Sequence, residues 1–322
     1  MGIIQPMSRL FCVRAAAFVI TAALVTSCGG NPPPRLTQWE GSGKTSDNRN
    51  PSASEATGRP AATPATQVAA IPSTPPPKIA GESAIVIDVV SGRVLYAKNA
   101  DSQRSVASTQ KIITALCILD AGDIDKSVTI DANDEACEPT KLELKPGDVY
   151  SRRELLKVLM VKSANDVARA LARDVGGDQA SFAALMNRKC AAIGMRNSNF
   201  LNPNGLPLHG QYSTARDMAI AARAAYHSPL IRSYTATKAF TFRFNDGRTR
   251  EIVNTNKLLK TVPYCDGLKT GTTNDAGRCL VSSGSLNGRS VIVVVLKSNT
   301  PNIWTDSAKL LRWALERPVA GV

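Results

Sequence analysis

The sequence predicts an α/β fold in which strands from both ends of one domain share an antiparallel sheet, with flanking helices and a mainly helical lobe. Two observations support this prediction. Strand-like apolar or alternating runs occur near residues 83–98 and again from Lys238 to about residue 298, whereas the segment between them has helical periodicity. No second linker interrupts the chain from Ile79 onward, which indicates a single domain over residues 79–322.

The elements follow from turn signals and periodicity. Ser91-Gly92 separates two strand-like runs and so predicts a hairpin, and "ASTQKIITALCILDAG" predicts the next helix. Apolar spacing predicts helices over "SRRELLKVLMVK" and "DVARALARDVGG", and Gly176-Gly177 ends the second. The remaining predicted helices cover residues 179–192, 215–225 and 304–316, and the remaining strands lie in "KAFTFRF", "CDGLKTG", "GRCLVSSGS" and "RSVIVVVLK".

The first residues are typical of an export signal. Arg9 and Arg14 precede an apolar run over 15–25, which is too short to span a bilayer comfortably. The run ends in "LVTSC", an order of residues that resembles the lipobox of bacterial lipoprotein signal peptides; an ordinary cleaved signal is the alternative. We therefore expect residues 1–27 to be removed and Cys28 to carry a lipid that anchors the protein to a membrane of the cell envelope or periplasm.

Residues 28–78 have the composition of a disordered tether. Between residues 31 and 78 lie ten of the nineteen prolines, together with many Ser, Thr, Ala and Gly residues, and Trp39 is the only aromatic residue there. Such a segment cannot bury enough apolar surface to fold. We expect a spacer that reaches from ~40 Å as a coil to ~150 Å when stretched.

Charge and cysteine content narrow the function classes. The net charge of +13 fits an anionic surface, an anionic substrate or nucleic acid. Export and the lack of a basic patch with interleaved aromatic residues disfavour nucleic acid. Five cysteines remain besides Cys12 and Cys28; none has metal-ligand spacing, and the chain has only two histidines. Zinc catalysis is therefore not expected.

Ser108 and Lys111 form a Ser-x-x-Lys pair at the start of a predicted helix. Residues i and i+3 lie on one helix face, so the lysine amine can approach the serine hydroxyl. The helix N-terminus also offers free backbone N–H groups and favours negative charge. A serine that merely caps the helix predicts the same geometry, so the pair alone does not identify a nucleophile with its base.

Two further motifs follow in the chain. Ser-x-Asn occurs three times, but only Ser163-Ala164-Asn165 lies at a predicted helix–helix junction. Lys-Thr-Gly occurs once, as Lys269-Thr270-Gly271, on a predicted strand. The glycine would allow a ligand backbone to approach that strand closely.

The three motifs in this order resemble those of the penicillin-recognising serine hydrolases, which comprise the penicillin-binding proteins and the serine β-lactamases. Within that superfamily the chain resembles the low-molecular-weight D-alanyl-D-alanine carboxypeptidases, whose segments are similar to "NSNFLNPNGLP", "YSTARDMA", "NTNKLL" and "DGLKTGTT". The resemblance covers residues 84–316 and implies the serine β-lactamase/transpeptidase-like fold.

This resemblance implies a serine peptidase that removes the terminal D-Ala from peptidoglycan stem peptides and is acylated by β-lactams. It implies neither a metal nor another cofactor. Ser108 would attack the scissile carbonyl and Lys111 would take its proton. Ser163 would relay a proton toward the leaving amine, and Asn165 would hold the substrate amide. Burial and Lys269, which faces the same cleft in the family fold, would lower the pKa of Lys111.

The resemblance also implies how the substrate is held. Lys269, with the hydroxyls of Thr270 and Thr272, would bind the terminal carboxylate, and Gly271 completes the motif between them. Backbone N–H groups of Ser108 and Thr272 would form the oxyanion hole. Some members of the family carry histidine where Thr272 stands, so contacts to the end of the substrate are expected to differ.

Three other functions compete with this one. A serine β-lactamase needs an extra acid, but Glu251 is the only glutamate between Asp166 and Asp266 and lies in a strand-like segment, which disfavours that function. A DD-endopeptidase that cuts peptidoglycan crosslinks would use the same residues and stays open. A non-catalytic wall-binding lipoprotein is disfavoured because every motif residue is retained.

One disulfide is hypothesised from the sequence. Cys265 and Cys279 flank the predicted hairpin that contains Lys-Thr-Gly, so a cross-strand bond between them would brace it. Two reduced cysteines packed as small apolar residues are the alternative.

Overall fold

The computed structural model describes Gly2 and residues 72–316 of the chain. Apart from Gly2, the predicted signal peptide therefore lies outside the described residues, as do Cys28 and most of the predicted tether. Within the described part of the chain, no helix combines the length and the apolar character needed to cross a bilayer.

A five-stranded antiparallel sheet joins the two ends of the domain, as predicted. Its strand order is β2-β1-β9-β8-β7, so the last strand in sequence pairs with the first. The strands are β1 (Ser83–Asp88), β2 (Val94–Lys98), β7 (Cys265–Thr273), β8 (Gly277–Leu286) and β9 (Arg289–Ser298).

Both faces of this sheet are covered, which explains the continuous apolar run of β9. Ile292 and Val294 point to one face and pack in a cluster that includes residues of the internal helices. Val291 and Val293 point to the other face, where Leu310 and other residues of the last helix cover them.

The internal helices form the predicted lobe. The longer helices are α1 (Lys111–Asp120), α3 (Arg152–Val161), α4 (Asn165–Gly176), α5 (Gln179–Ile193), α6 (Ala215–Tyr226), α7 (Pro229–Ala236) and the closing α9 (Asn302–Glu316); α2 (Ala132–Glu135) and α8 (Leu258–Thr261) are single turns. Eight of the ten α1 residues are buried, so this helix runs through the core and carries its first residue, Lys111, with it.

Several elements differ from expectation. The strand in "KAFTFRF", β5 (Ala239–Arg243), does not join the main sheet but pairs with β6 (Thr249–Val253) in a separate ribbon. A second ribbon, β3 (Ser127–Thr129) with β4 (Val149–Ser151), and helix α7 were not predicted. Helix α7 begins with proline at its first turn after the Ser228 cap, a start signal that the sequence contained.

The hypothesised disulfide is wrong. The β7–β8 register places Cys265 opposite Gly284 and Cys279 opposite Gly271. Cys265 packs under α9, whereas Cys279 packs in the cluster on the other side of the sheet. All five cysteines in the described residues are buried free thiols, and burial raises the pKa values of Cys265 and Cys279 to about 11.

Candidate active site

Ser108 lies in a 3-10 turn, Ala107–Gln110, rather than in the first turn of the α-helix that begins at Lys111. Ala107 has a positive φ of 49°, and the Thr109 hydroxyl donates to the carbonyl of Val106 at 2.6 Å. The turn therefore fixes the direction in which the Ser108 side chain points before α1 starts.

Lys111 meets three oxygen atoms beneath Ser108. Its Nζ lies 2.9 Å from Ser108 Oγ, 2.8 Å from Asn165 Oδ1 and 2.6 Å from the carbonyl oxygen of Asn204. The side chain of Lys111 is fully buried. The spacing of the Ser-x-x-Lys pair thus does bring the amine to the hydroxyl.

This environment favours the neutral form of Lys111. Burial, followed by the nearby positive charge of Lys269, holds the pKa of Lys111 well below its usual value. A neutral amine has two N–H donors and one lone pair. Because Asn165 Oδ1 and the Asn204 carbonyl can only accept, they take the two N–H groups, and the lone pair is left for the Ser108 hydroxyl.

The carbonyl of Asn204 was not singled out from the sequence as part of the site. Asn202 shapes the loop that presents it, because its Oδ1 accepts from the Gly205 N–H at 2.8 Å and its Nδ2 donates to the Leu206 carbonyl at 2.8 Å. Gln110, at the end of the 3-10 turn that contains Ser108, donates to the Asn202 carbonyl at 2.6 Å. The segment "NPNG" could have indicated such a tight loop.

Ser163 and Asn165 come from the junction between α3 and α4. Ser163 has a positive φ of 70° and turns the chain between the two helices. Asn165 is held twice by the preceding loop, because its Nδ2 donates to Glu138 O at 3.3 Å and its backbone N–H donates to Thr140 O at 2.7 Å.

Asp166 holds that loop in place, a role that the sequence did not reveal. Its fully buried carboxylate accepts the backbone N–H groups of Leu142, Glu143 and Leu144 at 2.9 to 3.3 Å. Backbone donors of this kind satisfy a buried carboxylate and fix the loop against the start of α4.

Strand β7 forms the opposite wall. A Cβ atom on Gly271 would lie 2.9 Å from Val106 O and 3.0 Å from the amide nitrogen of Ser108. Glycine therefore allows the 3-10 turn that contains Ser108, rather than a ligand backbone as expected, to lie against the strand. Lys269 is 1% exposed, its Nζ donates to the Thr270 carbonyl at 3.1 Å, and burial lowers its pKa to about 7.

The two threonines of β7 have partners behind them. Thr270 Oγ1 lies 2.7 Å from Thr255 Oγ1, and the guanidinium of Arg278 donates to Thr272 Oγ1 at 3.0 Å. The sequence does not predict Thr255 or Arg278 as site residues. Their proximity to Thr270 and Thr272 depends on the strand register and on the loop before α8.

These walls enclose a cleft of about 380 Å³. Five of the eight residues predicted as catalytic or substrate-binding line it: Ser108, Ser163, Thr270, Gly271 and Thr272. The other three, Lys111, Asn165 and Lys269, are buried in its walls. Among the described residues, the cleft lining includes three cationic side chains, Lys162, Lys257 and Arg278, and no carboxylate; Glu251 is exposed on β6. The cleft therefore suits an anionic ligand.

Comparisons with known proteins agree with this geometry. Residues 69–300 match the model of the D-alanyl-D-alanine carboxypeptidase family of serine peptidases. The chain is 36% identical over 225 residues to the D-alanyl-D-alanine carboxypeptidase DacF of Bacillus subtilis, covering 68% of this chain and 58% of that protein's length. It is 34% identical over 258 residues to a D-alanyl-D-alanine endopeptidase of Pseudomonas aeruginosa, covering 76% and 83%.

A solved structure shows the same fold. The crystal structure of a D-alanyl-D-alanine carboxypeptidase from Mycobacterium tuberculosis superposes with a TM-score of 0.72 at 32% identity, covering 77% of this chain and 95% of that one. The chain therefore belongs to the D-alanyl-D-alanine carboxypeptidase family of penicillin-binding serine peptidases.

Proposed function

We propose that the protein is a serine-type D-alanyl-D-alanine carboxypeptidase that removes the terminal D-Ala from peptidoglycan stem peptides. The main support for this proposal is the buried amine of Lys111, which lies 2.9 Å from Ser108 Oγ. The amine also contacts two oxygen atoms, Asn165 Oδ1 and the Asn204 carbonyl oxygen, which can only accept hydrogen bonds. Family membership supplies the substrate class.

In the proposed acylation step, Ser108 Oγ attacks the penultimate D-Ala carbonyl while its proton moves to the lone pair of Lys111. The backbone N–H groups of Ser108 and Thr272 stabilise the oxyanion. When the intermediate collapses, the C–N bond breaks, and Ser163 relays a proton to the leaving nitrogen so that D-Ala departs as an amine. Water then attacks the acyl-enzyme ester and restores the Ser108 hydroxyl.

The substrate is held at both ends in this mechanism. Asn165 binds the amide on the acyl side, and the hydroxyls of Thr270 and Thr272, with Lys269 behind them, bind the terminal carboxylate. A β-lactam that carries a carboxylate presents the same pairing of carbonyl and anion, so it would acylate Ser108 as well. The cationic lining of the cleft supports this assignment.

The activity test uses two substrates. We expect the protein to release D-Ala from a pentapeptide that ends in D-Ala-D-Ala, and to leave the corresponding tetrapeptide intact as a control. A crosslinked peptide dimer, assayed in parallel, measures the endopeptidase activity that the Pseudomonas aeruginosa relative's name suggests. If the dimer is split and the pentapeptide is not, the endopeptidase function replaces the carboxypeptidase one; if neither is cut, both are wrong.

For the location, we propose export, removal of residues 1–27 and lipidation of Cys28, with residues 28–78 as a tether. Support comes from the order "LVTSC" and the proline-rich composition that follows it. Mass spectrometry of the mature N-terminus should show a diacylglyceryl group on Cys28, and Cys28→Ala should move the protein from the membrane fraction to the soluble one. A mature N-terminus without added lipid mass would contradict this proposal.

A further inference from the structure

The carboxylate subsite of the cleft needs a positive charge that Lys269 supplies only in part. Lys269 is 1% exposed, its amine already donates to the Thr270 carbonyl, and burial lowers its pKa to about 7. At neutral pH the free protein therefore carries this charge only part of the time. A guanidinium, by contrast, stays protonated throughout the pH range in which proteins work.

Arg278 provides such a guanidinium beside the threonines. It lies on β8 directly opposite Thr272 of β7, and its exposed side chain lines the cleft. Its Nη1 donates to Thr272 Oγ1 at 3.0 Å. Because Arg278 can only donate, Thr272 Oγ1 is the acceptor in this bond, and the hydroxyl proton of Thr272 remains available for an anion in the cleft.

Thr270 has a similar arrangement without the charge. Its Oγ1 is 2.7 Å from Thr255 Oγ1, so Thr255 can donate to Thr270 while Thr270 donates to a ligand. Each threonine hydroxyl that faces the ligand is thus supported by a donor from behind. Of these two supports, only Arg278 is a cation.

The other cations of the cleft lining are placed differently. Lys257 extends its amine toward the ring of Trp304, 5.7 Å from the ring centroid, at the edge formed by the start of α9. Lys162 caps the end of α3, next to Ser163. Both lysines add positive potential, but the guanidinium of Arg278 is the group that contacts a carboxylate-binding hydroxyl.

We propose that Arg278 determines specificity for substrates with a free terminal carboxylate, because its guanidinium orients the Thr272 hydroxyl and supplies a permanent positive charge to that subsite. The inference rests on the proposed function, since it concerns the same cleft. Arg278 positions the Thr272 hydroxyl and attracts the negatively charged end of the substrate. Ser108 and Lys111 carry out the acylation itself.

The test compares two peptides that differ only at the C-terminus: one ends in D-Ala-D-Ala with a free carboxylate, and the other carries a terminal amide. We expect Arg278→Gln to lower kcat/KM for the carboxylate peptide by about 10- to 100-fold, the range for a charge-assisted hydrogen bond, mostly through KM. The amide peptide should be turned over more slowly, and its kcat/KM should change by less than about twofold in Arg278→Gln, because an uncharged terminal amide makes no charge–charge interaction with Arg278.

Two further variants sharpen the test. Arg278→Lys restores the charge without the forked guanidinium, so it should recover part of the loss in KM. Arg243→Gln, which removes an exposed arginine on β5 outside the cleft lining, should leave both peptides at wild-type values. The KM of Arg278→Gln for the carboxylate peptide should also rise more steeply above pH 7 than that of the wild type, because Lys269 loses its proton there.

The possible results distinguish a failure of the inference about Arg278 from a failure of the proposed function. Equal losses on both peptides would make Arg278 a structural residue and overturn the inference, as would wild-type discrimination in Arg278→Gln. Wild-type protein that turns over neither peptide would overturn the proposed function and the inference together.

Discussion

Lys111→Met is expected to slow acylation of Ser108 by about 10³-fold or more, because it removes the proposed general base while keeping most of the apolar stem of the side chain. The Ser108 hydroxyl would then have the carbonyl oxygen of Asn204, 3.3 Å away, as its remaining partner. A carbonyl oxygen accepts a hydrogen bond but does not take up the proton. The rate constant for acylation by a penicillin, measured by stopped-flow or quenched intact mass, gives this effect directly.

Stability must be measured alongside, because Lys111→Met also leaves Asn165 Oδ1 and the Asn204 carbonyl without their lysine donor. Each unpaired buried acceptor costs about 1–3 kcal/mol, offset in part because an amine no longer has to be buried. Lys157→Met is the matched control, since Lys157 lies on α3 with its amine over the Phe240 ring, outside the cleft lining. An acylation rate in Lys111→Met within about tenfold of wild type would show that another group acts as the base.

Gly205→Ala is expected to lower kcat/KM by about 100-fold or more by displacing the 3-10 turn that contains Ser108, since even ~1 Å of misplacement costs that much. A Cβ atom at this position would lie 2.9 Å from the amide nitrogen of Ser108 and still closer to the carbonyl oxygen of Ala107. These are backbone atoms, so no side-chain rotation relieves the contact. The displaced turn would carry Ser108 away from Lys111 and would move the neighbouring Asn204 carbonyl.

Gly210→Ala separates this contact from backbone strain. Gly205 has a φ of +87° and Gly210 a φ of +85°, so alanine is strained at both positions, at a cost of about 1–3 kcal/mol. At Gly210 the nearest atom to an added Cβ is the Leu201 side chain, 3.9 Å away. We therefore expect Gly210→Ala to lose stability but to keep near-wild-type kcat/KM, and equal activity losses in the two variants would contradict the role given to Gly205.

The sheet and the main helices could be predicted because local patterns determine them. The apolar run of β9, buried on both faces, and the capping box of Ser151 with Glu154 ahead of α3 both act over short stretches of the chain. Helix α7 was missed although Ser228-Pro229 is a start signal, since its short apolar pattern was not distinct from the loop around it.

The site was predictable in its motif residues and not in its supports. The motifs identify side chains that line the cleft or are buried in its walls. The Asn204 acceptor is a backbone carbonyl, which no side-chain motif identifies. The carboxylate of Asp166 contacts backbone groups 22 to 24 residues earlier in the chain, and loop packing determines those contacts. The guanidinium of Arg278 contacts Thr272, six residues away, and strand register determines that contact. The disulfide prediction failed for the same reason, because register and strand face decide which cysteines meet.

The most direct test of the central claim, that a neutral Lys111 activates Ser108, is the pH dependence of acylation at a saturating concentration of a penicillin that carries a carboxylate. Intact mass should show one adduct, located on Ser108 by peptide mapping and absent from Ser108→Ala. Since burial and Lys269 hold the pKa of Lys111 well below its usual value, the acylation rate constant should stop rising with pH well before the ordinary lysine value of ~10.4 is reached. A rate constant that rises nearly tenfold per pH unit toward the ordinary lysine value of ~10.4, or an adduct that persists in Ser108→Ala, would contradict the claim.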